Sequence, residues 1–336
     1  MVKKILRLIQ GDTARISTDT RSLKKGDLFV ALKGKNFNGH DFVECALEKC
    51  AIAAVVNTGY KGHGAGRKAH MLIRVEDTLK AYGNVAGEYR RGYKMPVIGV
   101  TGSNGKTTTK DMIHAVLSKR LNVLKSLGTE NNLIGLPKTL FALRPAHDAV
   151  VAEMGTSRPG EIKRLSEILM PDIGVITNIG SAHLEFLNSE KDVFREKSSV
   201  IGRLRKEGLL LINADDPWLS KINHAPCRII KVGIEKKGCD LRAADIRIKP
   251  DRSGGAFTEF LVNDRYRFRL NLLGAHNVYN ALFAIALGFH FGMGYPEIRS
   301  ALLRFTPQQG RLNVEKIKGI FMINDAYNAN PSSTRA

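Results

Sequence analysis

The sequence lacks the marks of a membrane-spanning, secreted or fibrous protein. No apolar run approaches the roughly 20 residues that a bilayer-spanning helix needs. The apolar scrap at the N-terminus, before Gly11-Asp12, is too short for a signal peptide. Four cysteines (Cys45, Cys50, Cys227 and Cys239) form no Cys-x-x-Cys pair, which argues against a zinc ribbon and a disulfide framework. There is no internal repeat and no low-complexity segment. What remains is the expectation of a soluble cytoplasmic protein. A content of 43% apolar and 25% charged residues fits an ordinary globular chain. Its 336 residues suffice for two or three domains with sizeable cores.

Acidic residues are in deficit: 32 Asp and Glu stand against 52 Lys and Arg, a net charge of +20. Residues 1–93 carry 17 basic and 9 acidic side chains, and the remainder 35 and 23. The excess is spread along the chain and not gathered in a tail or stripe. Such a distribution favours anionic small ligands and gives little support for a nucleic-acid groove. Neither nucleic acid nor membrane is expected as a partner.

Residues 1–93 read as a small mixed α/β unit. Short β-rich runs at 28–32, 51–56 and 71–75 alternate with helical patterns near 41–50 and 77–91, and Gly59–Gly66 is a loop. The pattern breaks around Arg90–Pro96. From there to residue 312, nearly continuous apolar strands at 97–101, 149–154, 173–178, 209–213 and 229–232 alternate with helices. That rhythm suits a parallel sheet covered on both faces. Runs at 256–262 and 266–270 around Asn263-Asp264 predict an antiparallel hairpin, an appended β-lobe. Helices are expected at 276–291 and 296–305, and a further strand at 320–324.

The sharpest motif is Val97-Ile-Gly-Val-Thr-Gly-Ser-Asn-Gly-Lys-Thr-Thr-Thr109. A buried strand runs into a Gly-rich turn, and a helix starts near Lys106. Gly102 and Gly105 let the backbone turn its N–H groups toward a polyphosphate, and the helix N-terminus adds partial positive charge. Lys106 can then reach terminal phosphates, and the Thr107 hydroxyl can ligate Mg²⁺. The strict phosphate-loop pattern has Gly where this chain has Val100, so the loop is a variant.

Glu153 closes the strand Val150-Val-Ala-Glu153. It can hold a nucleotide's Mg²⁺ from the carboxyl end of a sheet, or simply end a strand. His183 lies just past another strand, where a lone histidine is more often a surface or hydrogen-bonded residue than a ligand. Lys197 sits in a helix over 192–200 with nothing in the composition to single it out. The residues by themselves stop at an ATP-dependent phosphate-loop enzyme with an acidic Mg²⁺ ligand.

Several ordered blocks carry a resemblance over essentially the whole chain. They are Thr101–Thr109, Asn131-Asn-Leu-Ile-Gly-Leu-Pro137, Glu153–Glu161, Asn178-Ile-Gly-Ser-Ala-His-Leu-Glu185, Gly274-Ala-His-Asn-Val-Tyr-Asn-Ala281, Gly310-Arg311 and Asp325-Ala-Tyr-Asn-Ala-Asn-Pro331. Together with Ser-Thr-Asp-Thr-Arg-Ser at 17–22, they resemble the Mur ligase family. The Asp325–Pro331 block points to the member that adds D-alanyl-D-alanine.

The resemblance implies a small UDP-sugar-binding domain (1–93), a central phosphate-loop ATPase domain with its β-lobe (94–312), and the linker and first strand of a third, Rossmann-like domain (313–336). It implies a monomeric cytoplasmic ligase of peptidoglycan precursor synthesis, serving cell-wall growth, shape and division. ATP would convert the carboxylate of a UDP-N-acetylmuramoyl-tripeptide to an acyl phosphate, which D-alanyl-D-alanine then attacks. Gly102, Ser103, Asn104, Gly105, Lys106, Thr107 and Thr108 would hold the phosphates. Thr107 and Glu153 would bind one Mg²⁺, and His183 with a carbamylated Lys197 a second. Asn277 and Asn280 would meet the adenine, with Arg311 and Asp325 nearer the phosphates or ribose. Asn131 or Asn132 would lie near the acyl phosphate or the sugar. Thr20, Arg21, Gly34, Lys35 and Asn36 would take the UDP end, with Thr129 and Arg158 also on the UDP-sugar substrate.

Two departures stand out. Relatives usually carry Ala-Lys-Gly-Glu where this chain has Glu196-Lys-Ser-Ser199, and they continue through a third domain that captures the amine. The chain therefore reads as part of a longer polypeptide or as a protein without an amine-binding domain of its own. The competing readings are a sibling ligase adding a single amino acid, and a non-catalytic nucleotide-binding module completed by a partner.

Overall fold

In the computed structural model, residues 2–9, 15–34, 36–62, 69–180, 186–251, 255–311, 313–317 and 320–327 are described. The chain divides into two compact units, 1–94 with 133–143, and 95–132 with 144–336. Residues 133–143, which the sequence assigned to the central region, belong to the first unit.

The first unit starts with α1 (Val2–Leu8) and β1 (Ile16–Ser17), neither of which the sequence signalled. It continues with β2 (Leu28–Val30), α2 (Val43–Glu48), β3 (Ala53–Asn57), β4 (Leu72–Val75) and α3 (Thr78–Arg91). The strands form a four-stranded sheet in the order β1-β2-β3-β4, with every pair parallel. One apolar layer, including Ile5, Leu28, Val30, Val55 and Val85, fills a face of the sheet, and a second around Phe29, Val43 and Leu47 fills the other. Asp77 caps α3 by accepting the Lys80 amide at 2.9 Å.

The second unit opens with β5 (Val97–Thr101), α4 (Lys106–Leu117) and β6 (Val123–Lys125). Next in the chain is α5 (Gly135–Phe141), which belongs to the first unit, where Phe141 packs on Tyr82 and Tyr89 of α3 with ring centroids 5.4 and 5.8 Å apart. The second unit resumes with β7 (Ala149–Glu153), α6 (Glu161–Leu169), β8 (Ile173–Ile176), α7 (Glu190–Ser198), β9 (Leu209–Asn213) and β10 (Arg228–Gly233). After these come β11 (Leu241–Pro250), β12 (Ala256–Val262), β13 (Tyr266–Leu270), α8 (Ala275–His290) and α9 (Tyr295–Leu303).

Nine strands form one sheet in the order β13-β12-β11-β10-β9-β8-β5-β7-β6. From β6 to β10 every pairing is parallel. Strands β5, β7, β8 and β9 are buried along their whole length, as their unbroken apolar runs predict for a sheet covered on both faces. The β-lobe is continuous with this sheet: β11 pairs in parallel with β10 through Val232–Leu241 and Gly233–Arg242, then antiparallel with β12. Asn263 and Asp264 have φ of +51° and +52°, the left-handed pair that a tight hairpin between β12 and β13 requires. Helix α8 is buried over most of its length because it is apolar nearly all round. The expected strand at 320–324 forms as β15 (Ile320–Asn324) and pairs antiparallel with β14 (Asn313–Ile317), so the segment read as a linker is a strand. No described helix is long and apolar enough to cross a membrane.

Candidate active site

The strand order reverses at β5, with β7 on one side and β8 on the other. In an open parallel sheet, ligands bind at the carboxyl ends of strands beside such a switch point. Residues 102–105 leave β5 there and enter α4 through Gly105, whose φ is +76°. A Cβ at Gly102 would overlap the Thr177 hydroxyl, and one at Gly105 the Asn280 side-chain oxygen. The loop therefore needs glycine at both positions for space as well as for conformation.

The end of β8 clamps the loop. The Ser103 amide donates to the Asn178 carbonyl at 2.9 Å, and the Asn104 amide to Asn178 Oδ1 at 2.8 Å. Ser103 Oγ donates to the Gly180 carbonyl at 3.0 Å, and Thr177 Oγ1 to the Asn104 carbonyl at 2.6 Å. The Ile179 amide is held in turn by Asp216 at 2.7 Å. Lys106 folds back, its Nζ donating to the carbonyls of Gly102 and Ser103 at 2.9 and 3.0 Å. Burial lowers its pKa, Glu153 works against that shift, and Arg311 adds to it.

At the first turn of α4, Thr107 Oγ1 donates to Glu153 Oε2 at 2.7 Å and accepts from Arg311 Nη2 at 3.0 Å. Glu153 Oε1 accepts from Asn131 Nδ2 at 2.9 Å. A hydroxyl and a carboxylate side by side are the hard oxygen donors that Mg²⁺ takes when phosphate oxygens and water complete its shell. Among the described residues no three His, Cys, Asp or Glu side chains cluster.

Lys197, on α7, is only 1% exposed. Burial holds its pKa well below the usual amine range, and the charge of Lys106 pushes the same way, whereas Glu196 and Glu153 oppose. The amine thus lies in the field of both the loop lysine and the expected metal carboxylate. Its neighbour Glu196 accepts the Gly160 and Ile162 amides, each at 2.7 Å, and so ties α7 to the start of α6. That gives the departure from the family pattern at position 196 a structural role.

Asn277 and Asn280, buried at the start of α8, are joined by Asn280 Nδ2 donating to Asn277 Oδ1 at 3.2 Å. Asn280 Oδ1 accepts from Thr109 at 3.0 Å, which brings it against the loop and α4. Asp325 is exposed, and its charge opposes the lowering of the His276 pKa by burial. Arg311 stacks on Tyr327 at 3.9 Å. Thr108 is half-buried, and Asn132 and Thr129 are exposed. Arg158 is exposed and lies over the Phe186 ring at 5.4 Å. His183 lies outside the described residues.

In the first unit, Thr20 and Arg21 follow β1, and Gly34 and Asn36 follow β2, its parallel neighbour. Arg21 pairs with Asp19 at 2.7 Å, and that bond holds the Asp19 carboxyl down to about 2. Lys49 donates to the Thr20 carbonyl at 2.9 Å. Lys35 lies outside the described residues. The sequence reading did not single out the clamps Thr177, Asn178 and Asp216, nor Lys110 and Ser126. A run of polar residues just past β8 was the local signal for Thr177 and Asn178.

Known proteins resemble this chain in sequence and fold. The Mur ligase middle domain matches residues 100–288, and the Mur ligase family catalytic domain matches residues 13–90. The UDP-N-acetylmuramoyl-tripeptide–D-alanyl-D-alanine ligase of Bacillus subtilis is 37% identical over 100% of this chain and 74% of its own length. That of Escherichia coli is 33% identical over 96% of this chain and 70% of its own. The crystal structure of MurF from Acinetobacter baumannii superposes with a TM-score of 0.87 at 31% identity, covering 100% of this chain and 75% of that one. MurF ligase from Thermotoga maritima in complex with ADP gives 0.86 at 29% identity, covering 97% and 74%. This chain belongs to the Mur ligase family.

Proposed function

We propose that the chain acts in the ATP-dependent joining of D-alanyl-D-alanine to a UDP-N-acetylmuramoyl-tripeptide, a cytoplasmic step of peptidoglycan precursor synthesis. The observation that carries this reading is the 2.7 Å contact of Thr107 with Glu153 at the mouth of a loop that needs glycine at 102 and 105 to pass Thr177 and Asn280. A carboxylate oxygen of the peptide attacks the γ-phosphorus, ADP leaves, and a mixed carboxylic–phosphoric anhydride forms. The amine then attacks the acyl carbon, phosphate leaves with the bonding pair, and the amine nitrogen loses a proton as the amide forms.

Lys106 turns from its own loop carbonyls to the β- and γ-phosphates. There, with the loop amides, it stabilises charge developing on the transferred group. Thr107 and Glu153 would hold Mg²⁺, which when bound would offset the repulsion between carboxylate and phosphate. Lys197 is suited to carbamylation, because burial favours the neutral amine that attacks CO₂. The new N–C bond forms with loss of one proton and would leave an anionic oxygen that, with His183, would hold a second Mg²⁺. Asn277 and Asn280 face the adenine side, Arg311 and Asp325 the phosphates or ribose, and Asn131 or Asn132 the acyl phosphate. Thr20, Arg21, Gly34, Lys35 and Asn36 take the UDP end, with Thr129 and Arg158 toward the sugar.

The test is formation of the acyl phosphate from ATP and the tripeptide substrate by wild type and Lys106→Ala. Loss in the variant, with UDP-substrate binding intact, is the expected result. Retained phosphorylation sinks the loop assignment.

A further inference from the structure

Lys110 is the most deeply buried charge that this mechanism leaves unused. It is 0% exposed, one turn along α4 from Thr107. Its ammonium donates to the Ser126 carbonyl at 2.8 Å. Asp111 is farther, at 3.5 Å, and has closer partners in Lys125 at 2.7 Å and Gln308 at 2.8 Å. The short bond of Lys110 is therefore made to a backbone carbonyl, not to the neighbouring carboxylate. A buried ammonium is costly, and an unbranched apolar side chain would fill the same face of α4 without that cost.

Ser126 explains what the ammonium holds. It follows β6 directly, is 1% exposed, and its Oγ accepts the Glu153 amide at 3.0 Å. It also begins the segment that carries Asn131 to the Glu153 carboxylate. One face of α4 thus meets Glu153 twice: directly through Thr107, and indirectly through Lys110 and Ser126. Burial lowers the Lys110 pKa, while the charges of Asp111 and Glu153 work against that shift.

We propose that Lys110 and Ser126 are positioning residues that fix Glu153 in the orientation in which it binds a divalent cation. The inference rests on the reading of Glu153 as a cation ligand. Partners of metal-ligating carboxylates typically contribute about 10–100-fold to metal affinity. Ser126→Ala removes the acceptor of the Glu153 amide without changing charge, and Lys110→Met removes the bond that holds residue 126.

The experiment is a titration of the full chain with Mn²⁺ in the presence of ADP, followed by electron paramagnetic resonance. Wild type, Ser126→Ala, Lys110→Met and the double variant are compared. Each single change should weaken Mn²⁺ binding about tenfold. The double should be no weaker than the worse single change by more than about twofold, because both act through one joint. Mn²⁺ affinities within about twofold of wild type in both single variants, even with lowered melting temperatures, overturn the proposal, and so do additive losses in the double. If Lys110→Met fails to fold, Ser126→Ala decides alone. Failure of the wild type to bind Mn²⁺ with ADP would instead remove the phosphate-loop reading on which the inference stands.

Discussion

The loop at 102–107 and the loops that follow β1 and β2 both leave the carboxyl ends of parallel strands, yet they are built in opposite ways. In the first, Ser103, Asn104, Lys106 and Thr107 all have protein partners, and the surrounding charges, Glu153, Lys110 and Lys197, are buried. In the second, Arg21, Gly34 and Asn36 are exposed, and Arg21 pairs with its near neighbour Asp19. A site that stabilises a transferring phosphoryl group must be held in place before the reaction, because rearranging dipoles during it forfeits the electrostatic gain. A site that anchors a distant part of a substrate needs only complementary groups within reach.

The contrast predicts large effects on chemistry from the first region and modest effects on affinity from the second. Lys106→Ala should lower ATP turnover by at least about a hundredfold while calorimetry shows unchanged UDP-substrate binding. Equal loss of both would erase the distinction between the regions. Lys197→Ala should reduce turnover by about a hundredfold, with partial rescue by short-chain carboxylic acids; full activity without additive removes that lysine from the mechanism.

Lys197 also predicts a pH dependence. Its folded-state pKa lies below the ordinary 10.5, so between the two values the unfolded chain binds more protons than the folded one. Stability of the CO₂-free, nucleotide-free protein should therefore rise with pH through that interval. Lys197→Met should flatten the rise, as read from denaturant melts at several pH values. Asn280→Ala strips partners from Thr109 and Asn277 and should cost about 1–3 kcal/mol of stability, with weaker ADP binding. The smallest effect is expected from Arg21→Ala: a rise of severalfold in KM for the UDP substrate, unchanged kcat, and stability within about 0.5 kcal/mol. A fall in kcat there would mean that the exposed loops take part in catalysis.

Much of the second unit was legible because its signals are local. The run 97–117 carries strand, turn and helix in consecutive residues, and Asn263-Asp264 announces its hairpin by the backbone conformation it tolerates. The packing of residues 133–143 into the first compact unit was not legible, for the converse reason. A short helix of seven residues carries no mark of which core it joins, and the packing of Phe141 on Tyr82 and Tyr89 settled that. That the appended β-lobe continues the main sheet was not legible, because two bridged residue pairs, Val232–Leu241 and Gly233–Arg242, leave no pattern in sequence.

The sequence by itself determined the parallel strands, the glycines of the phosphate loop and the candidate ligands Thr107 and Glu153, since each depends on residue type and near neighbours. Tertiary structure decided that Thr107 and Glu153, 46 positions apart, meet at 2.7 Å, and that Asn178 clamps the loop from 74 positions away. It also buried Lys197 and Lys110. Those outcomes follow from the order in which strands join the sheet, which brings remote carboxyl ends to one edge and removes their charges from water.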